Sequence, residues 1–286
     1  VSDAFPADPQ PALWPASWRA ENRANKIGVT LACLALGLVS GYFAVDGYYT
    51  GGAGLVYPAC GAGLFLSLAL LSYATQVRVR TRRGRFARLE TDEDGDGQLV
   101  IPNSRLAFLA EVSCFATLGL FVGTLVYAAV AHLSEEPTIL TGIGALLMLL
   151  ALSWAVVWWV RGLVALVLGR WRPGFVRLSP EVVYLSGAGF EAACAWSAVH
   201  VVSAVQPERS PLIVLGTDPD ARGEAWFHRM PVVFFPRVSD EHLLLIDGSR
   251  LAVDPARLLR LMRRCHDDPS AREQLITEAA LNELRR

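Results

Sequence analysis

Four long apolar runs, all between residues 27 and 169, constrain this chain more than anything else in it. A helix needs about 20 predominantly apolar residues to cross the hydrocarbon core of a bilayer. Ile27 to Val45, Gly54 to Thr75, Leu106 to Ala131 and Ile139 to Val160 meet or approach that length. The chain is 53% hydrophobic and 19% charged, where soluble proteins average about 25% charged. Because the surplus is confined to these runs, it reads as membrane segments and not as an oversized core. The expectation is four transmembrane helices in two hairpins. Beyond Arg161 the fourth run has two readings: a stalk continuing to Gly169, with Arg161 snorkelling toward the headgroups, or a bend near Gly162 followed by an interfacial stretch.

The charges between the runs set an orientation. Residues 46–53 and 132–138 contain no Lys or Arg. The loop between the second and third runs carries Arg78, Arg80, Arg82, Arg83, Arg85, Arg88 and Arg105, and the fourth run exits into Arg161, Arg170 and Arg172. Basic loops stay on the cytoplasmic side, so both termini and the middle loop are expected there. Residues 1–26 are polar and Pro-rich, with Trp14 and Trp18 ahead of Arg19, Arg23 and Lys26. That order differs from a secretory signal, so no cleavage is expected and the two tryptophans are placed at the bilayer interface.

From Gly174 onward the pattern changes to short β-prone runs broken by Ser, Gly and Pro. They are Phe175–Leu178, Val182–Leu185, Phe190–Trp196, Val199–Val205, Leu212–Leu215, Val232–Phe235 and Leu243–Ile246. Asp247-Gly248 reads as a hairpin turn before Arg250–Val253. Asp254-Pro255 then supplies an N-cap and a proline at the first helical position, for a helix from Ala256 to about His266. Asp268-Pro269 starts a second helix that ends the chain. This predicts a small barrel or sandwich closed by a helix.

Three stretches give that region a family likeness. Phe175-Val-Arg-Leu-Ser-Pro-Glu-Val-Val-Tyr-Leu is similar to the opening hairpin of the pleckstrin-homology-like (PH-like) domains of bacterial, actinobacterial-type membrane proteins. Ala195-Trp196-Ser197-Ala198-Val199 resembles their W-x-x-[IV] strand, and the Asp254-Pro255 helix their C-terminal helix. The likeness covers residues 172–266, and it implies a fold and no catalytic residue.

Candidate chemistry is sparse. Lys26 is the only lysine, so neither a P-loop lysine nor a Schiff-base lysine exists in the body of the chain. The five cysteines (Cys33, Cys60, Cys114, Cys194, Cys265) form no C-x-x-C pair and read as buried free thiols. The histidines are dispersed, and neither G-x-S-x-G nor H-E-x-x-H occurs. The sharpest local motif begins at Asp92, Asp94, Asp96 and Gly97, matching the start of a calcium loop. It then fails, because Asn103 stands where a bidentate glutamate belongs. The alternatives are a weak calcium site on Asp92, Asp94 and Asp96, or a β-hairpin of Arg85–Leu89 and Gln98–Pro102 with an acidic turn. No other cofactor is expected.

Glu111 is an ionisable residue within the third run. It either has a function or pairs with a neighbouring arginine such as Arg105, or with a polar group on another helix. Gly37 with Gly41, and Gly119 with Gly123, are small-xxx-small patches serving packing within the bundle or contact with another subunit. Arg78, Arg80, Arg82, Arg83 and Arg85 are placed as contacts to anionic lipid. Trp226 and Phe227 open a run through Pro236 that either touches the membrane or a partner, or encloses a buried strand at Val232–Phe235. The face bearing Arg257, Arg260, Arg263 and Arg264 is either solvated or lipid-binding.

Taken together, the sequence predicts an α+β membrane protein: a four-helix transmembrane bundle plus a small β-rich cytoplasmic barrel or sandwich, PH-like and closed by a C-terminal helix. The segments are a cytoplasmic tail (1–26), a first hairpin (27–75), a cytoplasmic basic and acidic loop (76–105), a second hairpin (106–170) and a cytoplasmic domain (171–286). The expected role is a non-enzymatic accessory or scaffold subunit in the cell membrane, contacting lipid and a membrane-protein partner or a second copy, with no nucleic acid. The alternative is a sensor whose cytoplasmic domain binds anionic lipid or a small ligand.

Overall fold

The structure, a computed structural model, describes residues 23–49, 56–81, 84, 86–91, 95–135, 139–187, 190–205, 211–217, 225–229 and 243–285. Within these, the side chains of 23–24, 48–49, 80–81, 128–135, 139–149, 151–152 and 225–229 are left aside. The first half is helical: α1 (Arg23–Tyr49), α2 (Val56–Ser72), α3 (Arg105–Glu135) and α4 (Ile139–Val167). A π-helical turn, Tyr73–Val77, and a 3-10 turn, Arg78–Thr81, extend α2.

Three helical stretches are long and apolar enough to cross a membrane: Asn25–Gly47, Val56–Val77 and Arg105–Tyr127. The expected count of four is corrected to three among the described residues. Helix α4 is continuous, but its described apolar stretch is Ser153–Val167, short of the length a span needs. It runs unbroken through Gly162, where the Phe115 ring occupies the space a Cβ would take. Instead α4 stops at Gly169, whose φ of +67° is the left-handed conformation common at helix ends. There the N–H groups of Arg170 and Trp171 both donate to the Ala165 carbonyl, at 2.8 and 3.0 Å.

Hydroxyl pairs fix how the helices run. Thr30 of α1 lies 2.8 Å from Ser72 of α2 (Oγ1 to Oγ), and Ser67 of α2 lies 3.0 Å from Ser113 of α3 (Oγ to Oγ). Trp159 of α4 donates its indole N–H to the Phe115 carbonyl of α3 at 3.0 Å. Neighbouring helices are therefore antiparallel, with the start of α1, the end of α2, the start of α3 and the end of α4 on one side.

The second half is built of two antiparallel sheets, and neither closes into a barrel, one of the two forms expected. The first has six strands in the order β1 (Arg88–Thr91), β2 (Gly97–Pro102), β3 (Phe175–Leu178), β4 (Val182–Gly187), β5 (Phe190–Ala195), β8 (Ala225–Arg229). The second joins β6 (Val199–Val205), β7 (Leu212–Thr217) and β9 (Leu243–Asp247). Strand β2, which precedes α3, pairs with β3, which follows α4: Leu99 faces Leu178 and Pro102 faces Phe175. Two segments separated by a helical hairpin thus share one sheet. The expected strand at Val232–Phe235 lies outside the described residues.

Alternation explains the burial. Leu99, Ile101, Val176, Leu178, Val183, Leu185, Ala192 and Cys194 point into one core, while Gln98, Phe175, Arg177, Tyr184 and Glu191 occupy the other parity. Trp196 turns the chain from the first sheet to the second through a 3-10 corner, Trp196–Ala198. It is fully buried and donates its indole N–H to the Ser179 carbonyl at 2.9 Å, tying that corner to the β3–β4 turn.

Helix α5 (Pro255–Asp267) covers the core with Leu258, Leu259, Leu261, Met262 and Cys265. The Asp254 carboxylate caps it, accepting from the Ala256 N–H at 2.9 Å. Two sequence readings are corrected nearby. Arg250–Val253 is not a strand, because Asp247 accepts from the N–H and hydroxyl of Ser249 (2.9 and 2.6 Å) and closes a local turn instead of a hairpin. Only Leu251 makes a bridge, to Asn103. The final helix is broken into α6 (Ser270–Glu273), a 3-10 turn and α7 (Glu278–Arg285), with Thr277 extended between them.

Candidate functional site

The helices meet the sheets at the point where β2 becomes α3. The Asn103 N–H donates to the Gly174 carbonyl at 2.8 Å, the Ser104 N–H to the Arg250 carbonyl at 2.6 Å, and the Ala252 N–H to the Pro102 carbonyl at 2.9 Å. Three distant segments therefore satisfy one another's backbone where α3 begins. A glycine is required at 174, since a Cβ there would strike the Ser186 carbonyl oxygen and Gly187.

An ion-pair chain crosses this junction. Arg250 bonds Glu111 of α3 at 3.1 Å and Asp247 at 3.3 Å. The Glu111 side chain is 12% exposed and that of Arg250 28%, so the pair is shielded on the Glu111 side. The partner suggested from sequence, Arg105, is exposed and does not take this role. Six residues at 100° each put Arg105 and Glu111 about 240° apart around the helix. Beside the pair is a void of about 20 Å³ lined by Asn103, Ser104, Glu111, Arg172 and Arg250, room for a single water. Next to it, Phe115 meets Trp171 edge-on (centroids 5.0 Å apart) and stacks on Trp159 (6.1 Å). This aromatic wedge holds the end of α4 against the start of α3.

The glycine patches divide unequally. A Cβ at Gly37 would collide with Leu66 of α2, and one at Gly119 with the Trp159 indole of α4. A Cβ at Gly41 would only touch Ala62, and one at Gly123 would meet nothing within 4 Å.

Asp92 and Asp94 lie outside the described residues, while Asp96 is exposed. The strands flanking this turn pair in register from Arg88↔Val100 to Thr91↔Gly97, whereas a calcium loop of the EF-hand type is flanked by helices. Among the described residues no three His, Cys, Asp or Glu side chains converge. Arg78 is exposed on the 3-10 turn that also contains Arg80, whose side chain is not described. Arg82, Arg83 and Arg85 fall outside the described residues. Trp226 and Phe227 belong to β8, paired with Ala193 and Ala192, and their side chains are likewise not described. On α5, Arg264 makes a bidentate pair with Glu283 (3.0 and 2.9 Å), Arg263 donates to the Val202 carbonyl, and Arg260 is exposed.

A second feature was not picked out from sequence. On the outer face of the six-stranded sheet a groove of about 510 Å³ opens beside Arg177. The Arg177 guanidinium lies 4.6 Å from the Phe175 ring centroid and 5.7 Å from that of Tyr184. Its Nε is buried without a hydrogen-bond partner among the described residues. Burial, then the charge and hydrogen bond of Glu191, push the Tyr184 phenol above its usual pKa, so it stays neutral. Glu191 is in turn held by Arg172 at 3.0 Å. Strand alternation alone places Arg177 on this face, but its lack of a partner depends on the paired strands. No protein-family model, no curated protein and no solved structure matches this chain.

Proposed function

We propose that this protein is a non-enzymatic, multi-pass scaffold of the cell membrane, whose helices anchor a rigidly oriented cytoplasmic interaction domain of PH-like kind. The observation that carries this reading is the shared sheet: β2 and β3 flank the α3–α4 hairpin, and the Glu111–Arg250 pair bonds the sheet region to α3. A flexible tether would need none of these contacts. A scaffold gains from them, because a partner bound to the sheets then has a defined orientation to the membrane.

The same connectivity brings the end of α4 back to the side on which α3 starts. Since Pro102 and Phe175 are neighbours, a chain that leaves through α3 must return through α4. Lys26, Arg78, Arg105 and Arg170 all lie at the same end of the helical layer, which the positive-inside rule assigns to the cytoplasm. The large apolar side chains of α1 that face outward, among them Leu31, Leu38 and Phe43, suit lipid or the helices of a partner.

The test is purification of the tagged full chain from its native membrane in mild detergent. A stoichiometric membrane-protein partner, lost when Glu111 and Arg250 are both replaced by Ala, supports the scaffold reading. A monodisperse lone chain that retains full cellular function contradicts it.

A further inference from the structure

We infer that the groove beside Arg177 is a binding site for a small soluble monocarboxylate with an apolar body. This goes beyond the scaffold reading and does not depend on it.

The head group follows from Arg177. A guanidinium fork matches a carboxylate in its own plane, and here the guanidinium is placed by cation–π contact with the Phe175 and Tyr184 rings. The neighbouring arginine, Arg172, is already neutralised by Glu191. Arg177 has no such carboxylate among the described residues, and its buried Nε–H lacks an acceptor. A carboxylate entering from the groove would meet the terminal N–H groups of the guanidinium, since the Nε–H has no accessible surface.

The body follows from the rest of the wall. Val182, Ala193 and Ile276 line the groove, giving apolar area for a short chain or a ring. A volume near 510 Å³ lies within the range of about 300–1,000 Å³ of small-molecule sites.

Charge and position narrow the class further. Asp96 and Glu181 also line the groove, and their charge disfavours a polyanion such as pyrophosphate. The groove opens at the Gly97 end of β2, whereas α3 begins just after its Pro102 end. Arg177 itself pairs with Val100, roughly 10 Å of strand from Asn103. The occupant assigned is a dissolved molecule, and failure of dissolved monocarboxylates to bind would point to a headgroup instead.

The experiment is isothermal titration of the full chain in detergent micelles with benzoate, hexanoate and pyrophosphate. Benzoate or hexanoate should bind saturably, and pyrophosphate more weakly. Arg177→Gln should lose about tenfold or more in affinity, as expected for a charge-assisted pair, while Arg172→Gln, a variant of the paired neighbour, keeps it. Arg177→Met retains apolar packing over the rings, so loss of binding in a Met variant that melts like wild type separates recognition from folding. Absence of saturable binding by both monocarboxylates, or equal affinity in wild type and Arg177→Gln, overturns the assignment.

Discussion

The two halves of the molecule place their apolar surface in opposite directions. In α1, Leu31, Leu36 and Leu38 are 57%, 50% and 62% exposed, and apart from Phe115 what α2 and α3 bury is small, as at Ser67, Ala69, Ser72, Ala107 and Ala110. In the β-rich half, Leu99, Leu178, Trp196, Ile213, Leu244 and Met262 are all less than 2% exposed. One half exposes apolar surface of the kind lipid solvates, with close backbone approach and hydroxyl pairs between helices. The other folds by withdrawing large side chains from water. The junction at Asn103, Glu111, Gly174 and Arg250 is where the two regimes meet, and it uses polar contacts that neither regime supplies alone.

The largest expected effect is confined to the β-rich half. Trp196→Ala removes a fully buried aromatic and leaves the Ser179 carbonyl unbonded, costing about 3–5 kcal/mol. Hydrogen exchange should show β3–β7 losing protection while α1–α3 keep theirs; equal loss in both halves would break the comparison. Next comes the junction. Glu111→Ala should cost about 1–3 kcal/mol, below the figure for a fully buried pair because Arg250 retains Asp247 and some exposure. A double-mutant cycle with Arg250→Met should show coupling, and additivity would mean that the pair does not join the halves.

Within the membrane half, Gly119→Ala forces a methyl into the Trp159 indole, an overpacking worth about 1–3 kcal/mol. Gly123→Ala meets open space and should be neutral or slightly stabilising by thermal melting in detergent. If the two behave alike, the α3–α4 contact is not as described. The smallest effect is at the surface. The N–H and hydroxyl of Ser270 donate to Asp268 and hold its carboxyl below the usual range. A depressed folded pKa contributes stability above the unfolded value, which is lost as pH falls through the folded one. Asp268→Asn should therefore lower stability slightly at neutral and alkaline pH, flatten the acid limb of the profile, and converge on wild type below the folded pKa.

Much of the architecture was legible because its causes are local. Apolar length marked the helices, alternation marked Phe175–Leu178 and Val182–Leu185, and Asp254-Pro255 marked the start of α5. The joining of β2 to β3 was not legible, because strand pairing across the α3–α4 excursion leaves no periodic trace in either strand. The partner of Glu111 was missed for the same reason. Arg105 is near in sequence but on another face of the helix, whereas Arg250 arrives through a turn set by Asp247 and Ser249. The Asp268 helix was read as continuous because nothing in its composition announces the extended backbone at Thr277. Arg177 looked like an ordinary outward strand residue until its neighbours showed which arginine already had a carboxylate and which did not.

The hairpin between α2 and α3 and the C-terminal region are expected to fold as one unit. The Asn103 N–H bonds the Gly174 carbonyl, so a short turn can replace the whole α3–α4 excursion. The decisive measurement compares two water-soluble chains by hydrogen exchange and size-exclusion chromatography: residues 172–286 alone, and residues 84–104 joined by a glycine-rich turn to 172–286. The account predicts a monodisperse joined chain with protected amides in β2 and β3, and an aggregating or poorly protected C-terminal fragment. Equal folding of the two chains, with β2 unprotected in the joined one, would contradict it.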